Sequence, residues 1–116
     1  SAVQWKLDNL IAIVDFNNQQ ADGPTLEVLA TQEEAPKWAA FGWYAQEVDG
    51  NDLNALVRAF DNARNHDGAQ PRVIICRTKM CKGIPFLEQR ESTHFIRVEA
   101  DEWTKAIALL DEDKPL

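Results

Sequence analysis

The sequence predicts an α/β domain of three layers, α/β/α, with helices on both sides of a parallel sheet. Three observations carry that expectation: the short continuous apolar runs at residues 10–15 and 72–77, an amphipathic segment between them, and an order in which strand and helix alternate. Each run is bounded by polar residues and is too short for a helix, the pattern of a strand buried on both faces.

Taken in order, residues 1–6 read as the closing turn of a helix whose earlier turns are not in the sequence, and no initiator methionine precedes them. The chain is therefore expected to be a fragment of a longer one. Residues 10–15 form the first strand, which runs into a polar loop that Gly23 and Pro24 must turn. Over residues 33–41, acids and Pro36 open a short helix, Trp38 and Phe41 follow, and Gly42 stands past the end. Residues 43–48 make a second strand, closed by Asp49-Gly50-Asn51-Asp52. Asn51 is expected to cap a helix whose buried face repeats at Leu53, Leu56, Val57 and Phe60. His66-Asp67-Gly68 ends that helix, with His66 expected at the surface. Pro71 then leads into a β-branched run at residues 72–77, the third strand. Residues 78–94 show no sustained period and read as a long loop. Residues 101–112 close the chain as a helix with Trp103, Ala106, Ile107 and Leu110 on its apolar face and acids in its first turn. Strand, helix, strand, helix, strand implies right-handed parallel crossovers.

The 116 residues are read as one partial domain spanning 1–116, long enough to bury about two thirds of the unfolded surface. Nineteen acidic residues against twelve basic ones give a net charge of −7, which repels nucleic acid and anionic lipid alike. The longest apolar stretch, residues 10–14, cannot span a bilayer, and the start lacks the pattern of a secretory signal, so a cytoplasmic location is expected. Cys76 and Cys81 have no zinc-site spacing; Cys76 is expected in the core and Cys81 as an exposed thiol. The four tryptophans are assigned to core or subunit contacts.

In an open α/β sheet, ligands gather at the carboxyl ends of the strands. There this chain places Asp15 and Asn17, whose oxygens suit a hard cation such as magnesium, particularly one that also holds phosphate. The alternatives are a turn residue for Asn17, bonding its own backbone, and a structural carboxylate for Asp15.

Several blocks then carry a resemblance. Leu7-Asp8-Asn9-Leu10, Asp15-x-Asn17, Asp22-Gly23-Pro24-Thr25, Lys37-Trp38-x-x-Phe41-Gly42-Trp43, Glu47-Val48-Asp49-Gly50-Asn51-Asp52, Arg77-Thr78, Lys82-Gly83-Ile84 and Glu91-Ser92-Thr93-His94 occur in this order. Together they resemble the amino-terminal, diphosphate-binding domain of transketolases, especially the split type encoded as two subunits. The resemblance covers nearly the whole chain. It implies a partial thiamine-diphosphate-binding fold, thiamine diphosphate and Mg2+ as cofactors, and transfer of a two-carbon ketol unit between sugar phosphates. By the same resemblance Asn17 and the carbonyl of Gln19 would hold the metal. Ala21, Lys82 and His94 would join them around the cofactor, and His94 would be the catalytic residue. The implied partners are a sugar phosphate substrate and a C-terminal, pyrimidine-binding transketolase subunit, which carries the glutamate that activates the cofactor, within an oligomer.

The chain departs from the family in three places. It contains no Gly-Asp-Gly aspartate, Ala21 stands where a bulky aliphatic is usual, and Met80-Cys81 replace a Lys-Gly pair. By itself the chain is therefore expected not to catalyse. The alternatives are a truncated, non-catalytic α/β interaction module, or a component of another thiamine-diphosphate enzyme resembling deoxyxylulose-phosphate synthase.

Overall fold

The computed structural model describes residues 1–28, 33–90 and 93–112. Along the chain lie β1 (Ile11–Phe16), a hairpin of β2 (Gln19–Gln20) and β3 (Gly23–Pro24), and the single turn α1 (Thr25–Val28). They are followed by α2 (Glu34–Ala40), β4 (Tyr44–Asp49), α3 (Leu53–Asn65), β5 (Arg72–Arg77), α4 (Pro85–Glu88) and α5 (Ala100–Glu112). The main sheet has the order β1-β5-β4 and is parallel throughout. Its register sets Phe16 and Asp49 opposite Arg77, so all three strands end level at one edge.

β5 is central, and it is the one strand of this sheet whose run is buried on both faces. Ile74 and Cys76 pack with Ala59 and Ala63 of α3, backed by Leu56 and Phe60. On the other face Val73 and Ile75 join Phe16, and Trp38 of α2 packs there edge-on to Trp43, with ring centroids 4.8 Å apart. The three expected layers are therefore present.

At the start of β5 the Arg72 side chain is 5% exposed and donates only to carbonyl oxygens. Its Nε reaches Ala63 at 3.1 Å, one Nη reaches His66 at 2.6 Å, and the other bonds to Gln70 at 3.0 Å and to Asp8. One guanidinium thus ties together the amino-terminal segment, the end of α3 and the turn into β5. Residues 1–6 do form a helical turn, closed by the paired bonds Lys6 N to Val3 O and Leu7 N to Ala2 O, with Lys6 left-handed at φ 50°.

Several expectations need correction. β1 is an edge strand, with Ile13 exposed, because β5 is its one neighbour in the sheet among the described residues. Asp52, not Asn51, caps α3: its carboxylate accepts from Asn54 N at 2.9 Å and Ala55 N at 3.1 Å. Asn51 instead reaches across to the segment leaving β5, accepting from Lys79 N at 2.9 Å. The buried face of α3 is turned toward Ala59 and Ala63, where small side chains allow close approach to β5, and Leu53 and Val57 stay 77% and 59% exposed. The segment 78–94 is not all loop, since Pro85 starts a helical turn that buries Ile84 and Leu87 against Ala106 of α5. For the same reason α5 buries Ala106 and partly Leu109, leaving Trp103, Ile107 and Leu110 largely exposed.

His66 is half-buried rather than on the surface, stacked on Tyr44 at 3.8 Å. Cys81 is also half-buried, beside Ile84 and Leu87, while Cys76 lies in the core as expected. Trp38 and Trp43 pack, but Trp5 and Trp103 are exposed. The burial expected of a compact domain is not reached: the surface is 8247 Å2, against about 6400 Å2 for a compact monomer of this mass, and the α4–α5 residues form a small core of their own.

Gly50 lies against the end of β5, donating its N–H to Arg77 O at 2.8 Å. A Cβ there would stand 2.6 Å from Thr78 Cγ2 and 2.7 Å from Cys76 Cβ. Gly50→Ala is expected to cost about 1–3 kcal/mol by overpacking, and Arg72→Met about 1.5–3 kcal/mol by stranding buried carbonyls. Urea denaturation monitored by tryptophan fluorescence checks both; an unchanged midpoint for either variant contradicts its assignment.

Candidate functional site

Two of the clefts at the level strand ends hold the expected site residues. The first, of about 280 Å3, lies past β1 and is lined by residues 14–20 with Thr25 and Glu34. Here the chain makes a sharp local fold. Asn17 Oδ1 accepts from Gln19 N at 2.9 Å, Asn18 is left-handed at φ 61°, and Asn18 O accepts from Thr25 N at 2.9 Å. The turn bond of Asn17 is therefore real, and it spends one of the two lone pairs on that oxygen. Asp15 bonds to the Thr78 hydroxyl across to β5, so it braces the strand ends.

A long-range contact starts from Gln19, one of the residues that line this cleft. Gln19 Oε1 accepts from both the backbone N and the hydroxyl of Thr93, at 3.2 Å and 2.6 Å, across 74 residues of sequence. Thr93 is 6% exposed, and its hydroxyl also lies 3.3 Å from Met80 Sδ. His94 follows directly, exposed, with its ring edge-on to Phe95. Thus the structure brings Asn17, Gln19 and the segment carrying His94 together. Ala21 sits exposed at the tip of the β2–β3 hairpin. Glu91 and Ser92 lie outside the described residues.

Lys82 belongs to the second cleft. This cleft, about 530 Å3, lies past β4 and β5 between Glu47, Asp49, Asn51, Arg77, Thr78 and Lys79. Its charges are largely paired: Arg77 Nε meets Glu47 at 2.8 Å while its guanidinium covers the Phe16 ring, and Lys79 Nζ meets Glu88 at 2.6 Å. The Lys79 hydrogen bond, and then the Gly83 N–H donating at 2.7 Å, hold the Glu88 carboxyl below its ordinary range. Burial, and secondarily the Asp15 charge, push the Cys76 thiol up, so it is a poor nucleophile.

The first cleft suits magnesium in a limited sense. Asn17 Oδ1 keeps a free lone pair, and the Gln19 carbonyl is a second hard, neutral oxygen on the same braced loop. No three His, Cys, Asp or Glu side chains converge on a possible metal position among the described residues. These donors fit an ion shared with phosphate oxygens and water, and do not make an all-protein cage.

The side chain of Gln19 and its partner Thr93 escaped the sequence reading, as did Arg77 over Phe16. No spacing signal links positions so far apart.

A family model described as "Transketolase, thiamine diphosphate binding domain" matches residues 1–113. A transketolase family protein of Sinorhizobium fredii is 62% identical over 111 residues, covering 96% of this chain and 40% of that protein. The 6-deoxy-6-sulfo-D-fructose transketolase subunit of a Clostridium species is 34% identical over 108 residues, covering 93% of this chain and 39% of the subunit. Among solved structures, transketolase from Campylobacter jejuni superposes with a TM-score of 0.79 at 26% identity, over 92% of this chain and 16% of that one. The chain therefore spans about two fifths of the length of these two curated relatives. No helix among the described residues is long and apolar enough to cross a membrane.

Because the folded state lowers the Glu88 pKa, its bond to Gly83 is stable above the ordinary value of 4.5 and is lost as pH falls through the lowered value. Amide exchange at Gly83 followed by NMR should show protection at neutral pH that disappears on acidification below 4.5. Glu88→Gln should lack that pH-dependent step; a step of the same size in the variant contradicts the assignment.

Proposed function

The chain belongs to the transketolase amino-terminal, thiamine diphosphate-binding domain family, and from that premise we propose that it supplies the diphosphate- and magnesium-binding part of a transketolase. The enzyme would transfer a two-carbon ketol unit between sugar phosphates, in the cytoplasm, as an oligomer with a pyrimidine-binding partner subunit. One observation carries the reading: the loop of Asn17 and Gln19 and the segment of Thr93 and His94 meet at the carboxyl end of β1. The printed name of the Clostridium relative as a transketolase subunit supports a partner chain.

Bound thiamine diphosphate would supply the carbanion chemistry needed to break and make the bond beside a ketose carbonyl. This chain's residues would bind and orient. Asn17 Oδ1 and the Gln19 carbonyl give oxygens to the magnesium, and the turn bond between these residues keeps both in place without reorganisation on binding. His94 offers a ring nitrogen to the diphosphate or to a developing oxyanion, and its exposure leaves it open to a ligand. Ala21, exposed at the hairpin tip, would face the cofactor with a small side chain. Lys82, in the neighbouring cleft, acts through longer-range attraction on the incoming anion. The remaining metal ligand, a carboxylate, and the glutamate that activates the cofactor would come from other polypeptide.

The test is calorimetric titration of magnesium and thiamine diphosphate into the protein together with its pyrimidine-binding subunit. Asn17→Ala is expected to weaken binding by about tenfold or more, and Lys82→Ala by less than about threefold. Equal affinities for the wild type and Asn17→Ala would overturn the assignment of the metal loop.

A further inference from the structure

Gln19 has two chemically separate ends: a backbone carbonyl, assigned above to the metal, and a side-chain amide. We infer that the Gln19 side chain is a positioning residue that fastens the segment bearing His94 to the loop after β1. The inference rests on the reading of that loop as the diphosphate site.

The side-chain oxygen has two lone pairs, and Thr93 occupies both, with its N–H at 3.2 Å and its hydroxyl at 2.6 Å. A backbone N–H can only donate, so the amide must present its oxygen to Thr93, and the orientation is fixed by chemistry. The nearby Met80 sulfur is a weak acceptor and does not compete for the hydroxyl proton. Thr93 is almost fully buried, so losing the acceptor would strand its N–H and leave its hydroxyl only the weak Met80 sulfur.

On its other side, Gln19 donates its backbone N–H to Asn17 Oδ1. A short relay of bonds therefore runs from Asn17 through Gln19 to Thr93, and His94 lies one backbone step, about 3.8 Å, farther on. Along the chain the two sites are 74 residues apart. A polar side chain at position 19 thus does work that a metal-binding carbonyl does not require.

Gln19→Leu separates the two ends, since it keeps the carbonyl and removes the acceptor. Thr93→Val removes the hydroxyl, and Thr93→Ser keeps it. Two measurements are made: amide exchange at Thr93 in the full chain without cofactor, and affinity for magnesium with thiamine diphosphate in the presence of the partner subunit. Gln19→Leu is expected to speed exchange at Thr93 and to weaken affinity, each by about tenfold. Thr93→Val should weaken affinity, Thr93→Ser should match the wild type, and the Gln19→Leu/Thr93→Val double variant should bind no more weakly than Gln19→Leu.

Unchanged exchange in Gln19→Leu overturns the link itself. Faster exchange with unchanged affinity overturns the positioning role, as does a Thr93→Ser variant as damaged as Thr93→Val. A wild type that fails to bind the cofactor overturns the functional reading and the positioning role together, while exchange then reports only whether the bond exists.

Discussion

The central strand has to be dry on both faces, and the rest of the fold follows from that constraint. Val73, Ile74 and Ile75 are fully buried, which requires a strand on either side and a helical layer above and below. The β-branched run satisfies the requirement with β1 and β4 as neighbours, α3 on one face and α2 with its tryptophans on the other. Because the three strands of the main sheet are joined by parallel crossovers, they point the same way, and the carboxyl ends of β1, β5 and β4 arrive level. Arg72 fastens the entry to this strand, and Gly50, Thr78 and Asp15 pack and bond around its exit.

The consequence for function is that the loops carrying the candidate site residues converge at the exit. Past β1 the loop is short, braced by Asn17, and offers neutral oxygens. Past β4 and β5 the cleft is wider and holds opposed charges that largely satisfy one another. On the proposed reading, a polyvalent anion with its own magnesium would enter the first cleft, where the oxygens of Asn17 and Gln19 are neutral and cost less to desolvate than the paired charges of the second. The net charge of −7 adds to this preference for an anion that arrives with its own cation.

Much of this was legible from residue order. The run at residues 72–77, the short helix that stops before Gly42, and the Asp15 to Asn17 strand exit each appear where local pattern puts them. What was not legible is what depends on a partner. Period 3.6 shows that α3 and α5 are amphipathic, but Ala59, Ala63 and Ala106, the smallest side chains, decide which face docks. The apolar run of β1 looks the same as that of β5, and only the number of its neighbours makes it an edge. Within the site, Asn17 could be found from its position after a strand. The Gln19 to Thr93 bond could not, because a glutamine in a loop carries no mark of a partner 74 residues away.

The central claim is that the metal and diphosphate are gripped past β1 and not past β5. Manganese in place of magnesium, bound with thiamine diphosphate in the presence of the partner subunit, broadens nearby amide resonances through its unpaired electrons. Broadening is predicted to be strongest at Asn17 and Gln19, weaker at Thr93 and His94, and slight at Lys79 and Lys82. Broadening centred on Lys79 and Lys82, or absent from Asn17, would contradict the account.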